Sequence, residues 1–131
     1  MNLFFVFADG SIQTPPLGGT ILPGVTRNAL LTLARAEGIA VREEPYAIDQ
    51  WQADAKSGRL TEAFACGTGV TLAPIGSITN KEVRHEMDVS EGGIGPRTQM
   101  IRTRLAEVMS GRHQAPRYEN WLHEVKDSLR R

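Results

Sequence analysis

The sequence predicts an α/β (α+β) domain, and three observations carry that class. Apolar runs with strand character alternate along the chain with segments of helical periodicity. Gly, Pro and Asp-Gly signals separate them at short intervals. The 131 residues are 40% hydrophobic, enough for one core in a single domain spanning 1–131.

In chain order, Leu3 to Phe7 is an aromatic and apolar strand that opens the domain with nothing ahead of it. Asp9-Gly10 turns it into a second strand through Ile12, the usual hairpin signal. A Gly/Pro-rich loop follows through Pro15, Pro16, Gly18 and Gly19. A helix is predicted from Arg27 to Glu37, with Leu30, Leu33 and Ala34 on its buried face, Leu31 at the edge and Gly38 as terminator. Ile39 to Glu43 alternates as a half-buried strand, limited by Pro45. Asp49 is placed to cap a second helix through Lys56, ended by Ser57-Gly58. Thr61 to Cys66 reads as a strand. Val70 to Ile75 reads as another, bent or held at an edge by Pro74. Lys81 to Val89 suggests a short polar hairpin. Pro96 opens a helix carrying Ile101, Leu105, Val108 and Met109 on one side and ending at Gly111. A last helix is predicted from Tyr118 to Leu129, with Trp121, Leu122 and Val125 as its stripe.

Charge and composition exclude several classes. The 15 basic residues (12 Arg; Lys56, Lys81 and Lys126) balance 15 acidic ones, so no charge excess favours nucleic acid or an anionic membrane. No apolar run is long enough to span a bilayer. The first residues lack the basic flank and apolar core of a signal peptide. Cys66, the sole cysteine, excludes an internal disulfide framework and suits a reducing cytoplasm. Its surroundings fit a small buried thiol better than a nucleophile. His85, His113 and His123 form no His-x-x-x-His pair, so His85, Glu86 and Asp88 read as a solvated strand rather than a metal site. Gly92-Gly93-Ile94-Gly95 matches neither G-x-G-x-x-G nor a P-loop and reads as a turn before a helix. Lys56 and Lys81 fall in polar, turn-like surroundings, and Trp51 and Trp121 read as core or interface anchors.

Two stretches carry chemistry. Leu22-Pro23-Gly24-Val25-Thr26-Arg27 closes the glycine-rich loop and opens a helix, whose free N–H groups attract an anion, a phosphate above all. Gly24 permits close approach and the Thr26 hydroxyl adds a hydrogen bond. Cys66-Gly67-Thr68-Gly69 repeats the theme at a strand end, so the two turns form candidate halves of a phosphate cup. The plain alternative is an ordinary helix cap.

Asn2 to Phe7, Leu22 to Arg27, Phe64 to Gly69 and Pro74 to Ile78 stand in the order and approximate spacing of branched-chain amino acid aminotransferases. Gly95-Pro96, Gly111 and Trp121-Leu122 extend the likeness over nearly the whole chain. The chain thus resembles the C-terminal portion of these class IV, fold-type IV pyridoxal-phosphate enzymes. The resemblance implies a mixed sheet or pseudo-barrel flanked by helices, with its first strands missing. It implies that the N–H groups of Val25 and Thr26, with the Thr26 hydroxyl, hold the cofactor phosphate. Thr68 completes the cup, with Gly24 and Gly67 permitting the approach, and Leu22 packs on the pyridine ring. The N–H groups of Thr68 and Gly69 face the substrate carboxylate; relatives usually carry Ala at Gly69.

In the family, the Schiff-base lysine, the glutamate on the pyridine nitrogen and an arginine on the phosphate lie upstream of the strand that here begins at Met1. No catalytic residue carries over, and Met1 matches an internal position of full-length relatives. The resemblance implies amino transfer from leucine, isoleucine or valine to 2-oxoglutarate by a homodimer, with the chain alone inactive. Its alternatives are a D-amino acid aminotransferase, an aminodeoxychorismate lyase, or a non-catalytic fragment binding a phosphate ligand or a partner chain.

Overall fold

The structure, a computed structural model, describes residues 1–80, 83–86 and 93–122. Strands β1 (Asn2–Phe7) and β2 (Ile12–Thr14) form the expected hairpin, with Gly10 at its turn at φ +81°. Helix α1 (Val25–Ala36) leads to β3 (Val41–Glu43), which runs parallel to β2. Helix α2 (Ile48–Ser57) precedes β4 (Leu60–Cys66), which returns antiparallel along the other side of β1. Strand β5 (Ala73–Ile75) closes a five-stranded mixed sheet of order β3-β2-β1-β4-β5. Strands β6 (Ser77–Asn80) and β7 (Val83–Glu86) pair separately, before α3 (Pro96–Met109) and a 3₁₀ turn (Pro116–Trp121).

The central strands β1 and β4 are buried along nearly their whole length and are mostly apolar, because both faces of the sheet are covered. Phe4, Val6, Ile12, Phe64 and Cys66 meet Leu30, Leu33, Ala34, Ile101, Leu105 and Val108 of α1 and α3. The directly opposed Phe4 and Phe64 stack with centroids 5.0 Å apart and planes 3° from parallel. Phe5 and Phe7, pointing the other way, meet Tyr46 and Trp51. There Tyr46 donates to the buried Asp54 at 2.8 Å. Burial first, and then that hydrogen bond, keeps the Tyr46 hydroxyl protonated far above the usual phenol range.

Several expectations are corrected. Helix α1 begins at Val25, not Arg27: Gly24 is extended, and its carbonyl accepts the first helical bond from Asn28 N–H at 3.1 Å. Leu31 is fully inside rather than at an edge. Ala47, not Asp49, caps α2, and Asp49 sits in its first turn. The strand expected from Val70 starts only at Ala73, because Gly67 N–H bonds to the Val70 carbonyl and curls the intervening chain. Pro74 is tolerated there because β5 is an edge. Met109 is exposed, past the buried stripe of α3. The hairpin expected over 81–89 is built from β6 and β7, so it starts earlier; positions 81, 82 and 87–89 lie outside the described residues. The helix expected from Tyr118 is a 3₁₀ turn whose follower, Leu122, is extended; Val125 lies outside the described residues. Tyr118 is buried there, with the Trp121 ring 5.0 Å away.

Candidate functional site

The pairing of β1 with β4 positions the candidate site. Asn2 lies opposite Cys66, so the turn after β4 emerges beside the first residue of β1. A Cβ on Gly67 would lie 3.5 Å from Met1 Cγ. The start of α1 reaches the same end, where a Cβ on Gly24 would lie 3.3 Å from Asn2 Nδ2. Both candidate turns therefore flank the start of β1, although they are far apart in sequence.

The start of α1 is open. It has no side-chain cap and no acidic residue in its first turn, and Val25 is 83% exposed. The first N–H groups of a helix have no partner within it, and the helix dipole adds positive character at that end. Helix α3 is solved differently. The buried Glu62, from β4, accepts from Arg97 N–H at 2.9 Å and Thr98 N–H at 2.7 Å. That helix start carries its anion within the protein.

Leu22 is 81% exposed, and Thr68 and Gly69 are exposed at the loop after β4. Thr26 is half-buried. The residues expected to bind cofactor are thus surface groups around one sheet end. Nothing within 4 Å opposes a Cβ on Gly69, so an alanine has room there.

Sequence reasoning missed two residues beside this end. Asn2 is nearly enclosed and its Oδ1 has no hydrogen-bond partner. Arg27, in the first turn of α1, is 4% exposed, where a helical arginine is expected in solvent. The register of Asn2 with Cys66 was visible only once the strands were paired. Arg27 follows the motif directly and was the available signal.

Cys66 is completely enclosed, as expected for a structural thiol, and burial pushes its pKa up. Among the described residues no group of histidine, cysteine or carboxylate side chains is arranged to hold a metal ion, and no helix is long and apolar enough to cross a membrane. The sole lysine among them, Lys56, is exposed in the last turn of α2.

The structure is a mixed sheet with helices, with two glycine turns flanking the start of its central strand. The chain belongs to the class IV aminotransferases, whose family pattern (Amino-transferase class IV) matches residues 1–78. It is 42% identical over 125 residues to a probable branched-chain-amino-acid aminotransferase of Streptomyces coelicolor, covering 95% of this chain and 33% of that protein. A branched-chain-amino-acid transaminase of Bacillus subtilis is 39% identical over 127 residues, with 95% and 34% covered. Among solved structures, the branched-chain amino acid aminotransferase of Thermobaculum terrenum in its PLP (holo) form superposes with a TM-score of 0.72. It is 35% identical, with 93% of this chain and 35% of that one covered. The chain spans about a third of the length of the relatives it matches. The fold is that of the fold-type IV aminotransferases over the shared region.

Proposed function

We propose that residues 1–131 are the C-terminal, cofactor-binding part of a pyridoxal-phosphate branched-chain-amino-acid aminotransferase. One observation carries the reading: the uncapped start of α1 and the turn after β4 flank the same residue, Asn2. The residues fit the group. A phosphate meets unpaired N–H groups with no carboxylate against it, and glycine at position 24 keeps the approach clear.

In this reading the N–H groups of Val25 and Thr26, with the Thr26 hydroxyl, bind the phosphate. Thr68 completes the cup from the other turn, with Gly67 permitting its curvature. The exposed Leu22 covers one face of the pyridine ring and excludes water from it. The N–H groups of Thr68 and Gly69 orient the carboxylate of the amino acid or 2-oxo acid. The cofactor, when bound, supplies the electron sink for removing the α-proton. The substrates would be leucine, isoleucine or valine with 2-oxoglutarate, and the enzyme a cytoplasmic homodimer.

Lys56 projects from α2 into solvent and does not serve as the attachment lysine. The 131-residue chain by itself then binds the phosphate group weakly and transaminates nothing. Titration with pyridoxal phosphate, followed by borohydride reduction and peptide mass spectrometry, tests this. Weak binding competed by inorganic phosphate, without a covalent adduct, is expected. A cofactor adduct on Lys56, Lys81 or Lys126 would overturn it.

A further inference from the structure

Arg27 is the most deeply buried charged side chain among the described residues. It follows Val25 and Thr26 directly, so a guanidinium on the bound phosphate would be the obvious assignment. The geometry gives it other work. Its Nη2 donates to the Pro15 carbonyl at 3.0 Å and to Glu43 Oε2 at 2.9 Å. Glu43 is itself held on its second oxygen by Arg35 at 2.7 Å. The guanidinium therefore joins the first turn of α1 to β3 and to the first residue of the loop that delivers Leu22 and Gly24.

That loop has little else to hold it. Among the described residues, no backbone–backbone hydrogen bond involves positions 15–23, and the Arg27–Pro15 bond is the one hydrogen bond made to them. Leu17 and Leu22 are exposed, so apolar packing contributes little there. An unsupported segment of this kind samples many backbone states. Binding by N–H groups at a helix start depends on holding their approach fixed.

We propose that Arg27 is a positioning residue: it pins the loop 15–24 against α1 and so aims the Val25 and Thr26 N–H groups, without touching the phosphate itself. This rests on the cofactor reading for its purpose, and on the hydrogen bonds alone for its structural part.

The test uses the 131-residue chain with Arg27→Met, which keeps the length and removes the donors, and Arg27→Lys, which keeps the charge and one donor site. Amide ¹⁵N order parameters of residues 17–22 are measured without ligand, and pyridoxal phosphate and inorganic phosphate are then titrated in. In Arg27→Met the loop values are expected to fall from about 0.85 to below about 0.6 while β4 stays rigid. Phosphate affinity falls about tenfold, and Arg27→Lys recovers part of both. A role in global stability alone would lower the melting temperature and leave the loop of the folded molecules ordered, which overturns the proposal. If Arg27→Met does not fold, Arg27→Gln, which loses the charge and the guanidinium, decides instead: an ordered loop with parental affinity in it overturns the proposal. If the parent binds neither ligand while the loop loosens in the variants, the cofactor reading fails and the strut stands. If parent and variants bind equally well, the reading stands and the strut fails.

Discussion

The carboxylate of Glu62 occupies the space that a side-chain Cβ on Gly95 would need. Gly95 is the N-cap of α3, in an ordinary extended conformation, so glycine stands there because of the neighbour and not the backbone. Glu62 takes both open N–H groups of the helix start, Arg97 and Thr98, and so fastens α3 to the middle of the sheet. Gly95→Ala must push the carboxylate off these donors. It is expected to cost roughly 1–3 kcal/mol, as overpacking does, and Glu62→Ala about as much through the loss of two charge-assisted bonds. If the two changes act on one interaction, the double variant costs much less than their sum. Urea unfolding of the three variants measures this; additive losses would separate the two residues.

Thr26 and Thr68 are tested by the opposite pattern. Neither caps a helix, since α1 carries no side-chain cap, and Thr68 is exposed. Their replacement by alanine is expected to change unfolding free energy by less than about 0.5 kcal/mol. Affinity for pyridoxal phosphate should fall about fivefold in each, the worth of one hydrogen bond near 1 kcal/mol. Equal affinity in both variants, read by fluorescence titration, would move the phosphate elsewhere.

Much of the fold was legible because apolar runs and glycine punctuation coincide. The strand at Leu3 to Phe7, the Asp9-Gly10 turn and the stop at Gly38 follow from local chemistry alone. What was not legible depended on distant partners. The exposed Val25 and half-buried Thr26 carry no apolar period, so the first turn of α1 was assigned to the loop. Trp121, Leu122 and Val125 have helical spacing, yet the chain takes a 3₁₀ turn and is extended by Leu122. Arg27 and Glu62 look like surface charges; their partners lie at Glu43 and Pro15, and at Arg97 and Thr98. The candidate turns were readable as motifs, whereas their convergence on Asn2 required the β1–β4 register.

Gly69 offers a gain. Its φ is not in the left-handed region and its Cβ position is open, so alanine meets no obstacle. Gly69→Ala is expected to stabilise the protein by about 0.4–1 kcal/mol by narrowing the unfolded ensemble. The donor N–H is kept, so cofactor binding should not weaken. A lower melting temperature in this variant would show that the turn needs backbone states closed to alanine.

Cys66 reports on the same end of the sheet from inside. It has no exposure, and burial raises its pKa, so the folded protein presents neither access nor thiolate. Reaction with an aromatic disulfide reagent at pH 8 is expected to be slow. Its rate should rise with denaturant in step with the unfolded fraction. Fast reaction in buffer alone would mean that the ends of β1 and β4 separate without global unfolding.

Glu43 gives the pH dependence its sign. The hydrogen bond from Arg35, and next that from Arg27, hold its carboxyl below the ordinary value of 4.5. A carboxyl with a lower pKa folded than unfolded adds stability above the unfolded value and loses it as pH falls through the folded one. Glu43→Gln removes the charge and keeps the shape. At pH 7 the parent should therefore be the more stable, and the gap should shrink as pH drops below about 4.5. Glu43 is partly exposed, so the gap should also narrow in high salt. Urea midpoints at pH 7, 5 and 3 decide it. A gap that is the same at all three would show that the geometry of the Arg27–Glu43–Arg35 contact matters and its charge does not.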